Sequence, residues 1–174
     1  MPRRHLIPRQ WLMTDERMGD ALWPALERLP RGSGVVVRHH GLRVSERRRL
    51  LARIEAIGRR RRLTVLAAGM AAAGGVHNGR GGRGLTSRSV HDRAQAVAAI
   101  RARADLVFVS PVFATRSHPG ARVLGRRGVA RLLRGLPMPA IALGGMDERR
   151  FARLRGLGLH GWAAIDAWLD PTDR

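Results

Sequence analysis

The sequence predicts an α/β protein in which eight strands alternate with helices and close into a parallel barrel. Three observations carry this expectation. Short apolar runs recur along the 174 residues, with stretches of helical periodicity between them. Leu106–Val109 has the length and composition of a strand buried on both faces, as a parallel sheet demands. Parallel neighbours need right-handed crossovers, and eight such units close more readily than they lie open.

Gln10 to Met13 forms the first short run, ending at Thr14 and Asp15, and Ala21, Leu22, Ala25, Leu26 and Leu29 follow at helical spacing. Val35, Val36 and Val37 make the second strand. Leu50, Leu51, Ile54 and Ile57 then form the stripe of a helix expected to stop at Gly58. Leu63 to Ala68 is the third strand and Gly75 to His77 a short fourth, which leaves only Met70 to Gly74 for a helix between them. Leu85 to Val90 is the fifth strand. Asp92 caps the next helix, with Gln95 placed like the partner in a capping box. After Leu106–Val109 come a polar loop and a helical stripe of Val129, Leu132, Leu133 and Leu136. Pro139 to Leu143 is the seventh strand, and Asp147 caps a helix carrying Phe151, Leu154 and Leu157. Gly161 to Ile165 is the eighth.

The outcome is a single-domain (β/α)8 TIM-type barrel over residues 1–174, with reduced helices after strands 3, 4 and 8, since such barrels ordinarily run to about 200 residues or more. A thin helical ring is expected to leave apolar barrel surface that a second copy of the chain would cover.

Composition narrows the chemistry. The absence of cysteine removes disulfides, thiolate metal sites and cysteine nucleophiles. No apolar run approaches the ~20 residues of a membrane span, so the chain is expected in the cytoplasm with no membrane partner. The formal charge is +20, from 33 basic residues against 13 acidic ones, and all 33 are arginine. A charge of that size suits anionic ligands such as phosphorylated metabolites. The lack of tyrosine and the scarcity of phenylalanine leave few of the stacking platforms that binders of single-stranded nucleic acid use, so a nucleic-acid partner is not expected.

In a closed parallel barrel the working residues stand at the carboxyl ends of the strands. Gly144 and Gly145 follow the seventh strand, where side-chain-free backbone lets N–H groups approach a phosphate. The loop from Ser110 to Gly120 adds hydroxyls, an arginine and an imidazole.

At these residues the sequence resembles the thiamine phosphate synthase and TenI barrels. Ser110-Pro111-Val112-Phe113-Ala114-Thr115-Arg116-Ser117-His118 follows the family's Gly-Pro-Val-Phe-x-Thr-x-Thr-Lys, and Ser89-Val90-His91 its Ser-x-His. Ala142-Leu143-Gly144-Gly145-Met146 and Gly161-Trp162-Ala163 match its last two strand ends. Thr14-Asp15, Arg38 and Gly75-Val76-His77 match its earlier ones. The resemblance implies a site that joins a hydroxymethylpyrimidine pyrophosphate to a thiazole phosphate, with loss of pyrophosphate through a carbocation-like intermediate. It places Arg38 and His40 at the pyrophosphate and Ser89, Ser110, Thr115 and Ser117 at substrate. Gly144 and Gly145 fall at the thiazole phosphate.

The resemblance also implies Mg²⁺, but the family's metal-binding carboxylates fall here at Ala67-Ala68-Gly69 and in Asn78-Gly79-Arg80-Gly81-Gly82, so no cofactor or metal is expected. Asp166 stands where the family has a phosphate-neighbouring serine. Its charge would oppose a phosphate by ~4 kcal/mol for two unit charges ~4 Å apart near a surface.

Asp15 and Asp166 are expected to pair with arginines. The TenI branch, whose type activity is metal-free tautomerisation of a thiazole phosphate, needs an acid-base group, and His91 and His118 are the candidates. Two non-catalytic readings stand beside these, a phosphate-ligand sensor and a polyanion-binding protein using Arg80 to Gly84 with Arg59 to Arg62.

Overall fold

A computed structural model of the chain describes residues 6–80, 83–116 and 119–169. Eight strands run in chain order: β1 (Gln10–Met13), β2 (Gly34–Val37), β3 (Thr64–Ala68), β4 (Gly75–His77), β5 (Leu85–Val90), β6 (Leu106–Val109), β7 (Ala140–Leu143) and β8 (Gly161–Ala164). Each pairs in parallel with the next, and β8 pairs with β1, so the barrel is closed. Five helices pack outside: α1 (Leu22–Arg28), α2 (Val44–Arg61), α3 (Arg93–Arg101), α4 (Gly125–Leu133) and α5 (Glu148–Ala152). Among the described residues no helix follows β3 or β4, and β8 leads only into a 3-10 turn, Asp166–Trp168. The reduced positions are those the sequence predicts. No helix among the described residues is long and apolar enough to cross a membrane.

Period-two alternation divides the strands into two sets. Trp11, Met13, Val36, Leu66, Leu85, Leu106, Phe108, Ile141 and Ala163 pack together inside the barrel. The other set faces the helices in two clusters. One gathers Leu12, Val35, Val37 and Val65 against α1 and α2, and the other gathers Val107, Val109, Ala140 and Ala142 against α3, α4 and α5. Trp11 fills much of the interior, edge-on to Phe108 at 5.3 Å, with its indole N–H donating to the Pro8 carbonyl at 2.8 Å. It lies over Gly34, its partner in register on β2.

Several boundaries differ from the expectation. Gly58 does not end α2; its bare backbone lets the helix lie against Val65 of β3, and the helix runs to Arg61 before Arg62 turns left-handed at φ 57°. Asp92 caps α3 as predicted, accepting from the Gln95 N–H at 2.8 Å. Gln95 instead accepts from the His91 N–H at 2.9 Å, which ties the end of β5 to the helix rather than closing a capping box. Leu136, Leu154 and Leu157 keep their helical spacing but lie in turns beyond α4 and α5.

The thin helical ring does not bare the barrel. Among the described residues the exposed large hydrophobics are Leu6, Val44 and Val123. Met70 and Ala72, in the segment after β3, fold back onto the α1–α2 side. Trp168 stacks on Trp162 at 4.9 Å and 3°, and donates to the Trp11 carbonyl at 2.9 Å across the β8–β1 seam. Among the described residues, the sides of the barrel without helices are thus partly covered by Met70, Ala72 and Trp168.

A Cβ on Gly34 would meet the Trp11 ring at 2.1 Å. Gly34→Ala is expected to lower the unfolding free energy by about 1–3 kcal/mol, the cost of overpacking a filled core, read as a lower midpoint at unchanged slope in urea.

Candidate functional site

The alternation that fills the barrel also builds its mouth. Further along the same inward-facing rows, the interior positions become Arg38 after β2, His77 on β4, Ser89 on β5 and Ser110 after β6. They open into a cavity of 1240 Å³ also lined by His40, His91, Thr115, Gly144, Gly145 and Asp166. The structure therefore brings together Arg38, His40, Ser89, His91, Ser110, Thr115, Gly144, Gly145 and Asp166. Ser117 and His118 lie outside the described residues.

Arg38 is set by the β1–β2 junction. Thr14, buried at the end of β1, accepts from the Arg38 N–H at 3.1 Å and contacts His39 Nδ1 at 3.0 Å. The guanidinium donates from Nε to the Thr14 carbonyl at 3.0 Å and from Nη2 to Asp15 at 3.2 Å. Burial draws Arg38 below its ordinary value and Asp15 opposes that, so the ion pair keeps a cation in a half-buried place. Burial pulls the Asp15 carboxyl up, but hydrogen bonds and charge from Arg17, with the charge of Arg38, outweigh it and hold Asp15 below the usual carboxylate range. Asp166 pairs with Arg116 at 3.1 Å. Asp15 and Asp166 thus each pair with an arginine, as expected.

His77 and Asn78 stand at a strand end and line the cavity, but the sequence alone assigns them no role. His77 is buried within a polar network: Ser87 Oγ donates to the Val76 carbonyl at 3.5 Å and accepts from His77 Nδ1 at 2.9 Å. That leaves His77 Nε2 as the acceptor for Asn78 Nδ2 at 3.1 Å and Ser89 Oγ at 3.2 Å. Asn78, at φ 50°, accepts from the Ser89 N–H at 2.8 Å and so fixes that serine from both sides. Burial first, and then the charges of Arg38, Arg88 and His40, push the His77 imidazole down to about 4. Inward alternation from Gly75 was the signal for His77; its partners needed the strand register, which sets Ala68, His77 and Ser87 side by side.

His91 stands differently. Its Nδ1 donates to the Ser110 carbonyl at 2.7 Å, and a carbonyl can only accept. The neutral ring therefore carries its lone pair on Nε2, in a side chain that lines the cavity. Across the mouth, Gly144 and Gly145 hold φ values of 94° and 58°, and neither amide donates to a backbone carbonyl among the described residues. Arg150 donates to the Gly145 carbonyl, and a Cβ on Gly145 would meet the Ala114 carbonyl at 2.3 Å. The pair forms a bare cradle with unspent N–H groups and arginines at its rim.

The positions that would hold magnesium do not suit it. Ala68 and Gly69 end β3 without a carboxylate, and the Ala68 carbonyl accepts from Arg47, a fixed cation. Both ends of the Asn78 amide are taken by protein partners. Among the described residues no three of His, Asp or Glu gather to hold a metal.

Comparison with known proteins agrees with this geometry. A family model described as thiamine monophosphate synthase (TMP-TENI) matches residues 76–168. The thiamine-phosphate synthase of Chloroflexus aurantiacus is 30% identical over 93 residues, covering 53% of this chain and 43% of that protein. That of Pyrococcus furiosus is 28% identical over 89 residues, covering 51% and 43%. The matched segment thus spans less than half the length of these curated relatives. Among solved structures, a thiamine phosphate pyrophosphorylase from Pyrococcus furiosus superposes with a TM-score of 0.78 at 20% identity, covering 91% of this chain and 86% of that one.

The displaced imidazole sets a pH dependence. His77 titrates lower folded than unfolded, so between its folded value of about 4 and ~6.5 the unfolded chain binds the extra proton. Its contribution is fully present above pH ~6.5 and lost as the pH falls through about 4, to the extent of roughly 3 kcal/mol. Urea unfolding across that range should show this slope, and His77→Gln should flatten it.

Proposed function

Because the chain belongs to the thiamine monophosphate synthase (TMP-TENI) family, we propose that it works in the formation of thiamine phosphate, holding a thiazole monophosphate on Gly144 and Gly145 opposite a pyrimidine diphosphate near Arg38. The observation that carries this reading is the paired layout of one mouth: a bare glycine cradle on β7 and a half-buried guanidinium on β2, facing one cavity of 1240 Å³.

The reaction is a substitution. The thiazole nitrogen lone pair forms a bond to the pyrimidine methylene carbon, and the carbon–oxygen bond to the diphosphate breaks, with its electron pair leaving on oxygen. Much of the chain's contribution is orientation, because two reactants held in one cavity react as one. The N–H groups of Gly144 and Gly145 take the thiazole monophosphate. Asn78 and His77 fix the Ser89 hydroxyl at the centre of the mouth, where the two substrates meet.

A second reading is favoured by His91. With Nδ1–H committed to Ser110, its Nε2 is a ready proton acceptor beside the cavity, the arrangement that a thiazole phosphate tautomerase requires. Removing a proton at one position of the bound ring and returning it at another needs no metal.

Purified chain supplied with both phosphorylated substrates, and separately with the thiazole phosphate tautomer alone, separates the readings by product. Joining predicts thiamine phosphate, with Gly145→Ala raising KM for thiazole phosphate about tenfold or more, because the added Cβ would meet the Ala114 carbonyl and force the cradle backbone out of place. Isomerised thiazole with no thiamine phosphate, abolished in His91→Gln, would transfer the function to the second reading. No turnover in either assay would sink both.

A further inference from the structure

We propose that the β2–β4 side of the mouth is a metal-free diphosphate site, in which the fixed Arg38 guanidinium, with the exposed His40 beside it, stands in place of a divalent cation. This rests on the reading that a pyrimidine diphosphate is a substrate, and adds how its charge is met. The strand ends on this side offer a cation no anchor. The Ala68 carbonyl is held by Arg47, the Asn78 amide by Ser89 and His77, and Asp15 by Arg17 and Arg38. Glu16, the next carboxylate along, accepts from the Gly41 N–H at 2.9 Å. A hydrated Mg²⁺ would enter among positive groups, with the Ala68 carbonyl, the Asn78 amide and the Asp15 carboxylate already engaged.

An anion meets the opposite situation. Arg38 lines the cavity with Nε and Nη2 oriented by Thr14 and Asp15, and its Nη1 makes no hydrogen bond within the described residues. His40 lines the same wall and is exposed. The Ser89 hydroxyl faces them from β5, positioned by Asn78. Burial is the main cause of the downward displacement of His77, and the charges of Arg38, Arg88 and His40 add to it, so the same positive groups are felt at that ring.

A free diphosphate ester carries more negative charge than its magnesium complex, so fixed cations hold the free form at least as well. In the joining step the electron pair of the breaking carbon–oxygen bond stays on the diphosphate, and the thiazole becomes a thiazolium. The added negative charge then falls on Arg38 and His40, with no further proton or electron required.

Calorimetric titration with inorganic pyrophosphate, in EDTA and in millimolar Mg²⁺, tests this. The expected result is binding in EDTA that Mg²⁺ leaves unchanged or weakens, with Arg38→Gln and His40→Gln each lowering affinity about tenfold. Arg38 also braces the β1–β2 junction, so far-UV circular dichroism accompanies it, and the exposed His40→Gln keeps the test valid if Arg38→Gln unfolds. Affinity at least tenfold higher with Mg²⁺, no binding in EDTA, or unchanged affinity in folded variants would overturn the proposal. Its failure is separable from that of the joining reaction. Thiamine phosphate formed only with Mg²⁺ refutes the metal-free site alone; pyrophosphate bound without metal but no thiamine phosphate under any condition refutes the reaction alone.

Discussion

Closure of the barrel is the constraint from which the rest of the molecule follows. Once β8 pairs with β1, every second strand residue must face a shared interior, and no sheet edge is left to absorb a misfit. The interior must therefore be filled to crystal-like density, which Trp11 over Gly34 and edge-on to Phe108 achieves in a chain with few large aromatics. The same alternation, carried on towards the carboxyl ends of the strands, delivers Arg38, His77, Ser89 and Ser110 to a single mouth from strands far apart in sequence. Packing and site are thus two stretches of the same inward-facing rows.

The second feature is the way charge is disposed there. An all-arginine complement of 33 basic groups would give a featureless positive surface if each were solvated alone. Instead, arginines are spent on the few carboxylates at the mouth. Asp15 holds Arg17 and Arg38, Asp166 holds Arg116, and Asp147 contacts Arg150 at 3.9 Å. These pairs are partly exposed, so they contribute little to stability. Their larger effect is to fix guanidinium planes at the rim of a cavity, where a preorganised cation stabilises an anion without reorganising.

Much of this was legible in the sequence. Strand and helix alternation, the caps at Asp92 and Asp147 and the reduced positions after β3, β4 and β8 are local patterns, and they survive folding. Boundaries governed by contact were not legible: Gly58 read as a stop because its role is to let α2 approach Val65, which only the packed pair shows. The glycine cradle and the hydroxyls of Ser89 and Ser110 could be read from strand ends. The His77–Ser87–Asn78 network could not, because it depends on the lateral register of β3, β4 and β5. Nor could the contact of Arg47 with Ala68, made by a helical residue 21 positions away.

The central claim is that this mouth seats a thiazole monophosphate on the backbone of Gly144 and Gly145. Titration of ¹⁵N-labelled protein with thiazole phosphate, followed by amide resonances, tests it without reference to turnover. The account predicts saturable shifts that are largest at the Gly144 and Gly145 amides. Saturable shifts confined to the arginines of α2, or none at the two glycines at any concentration, would contradict it.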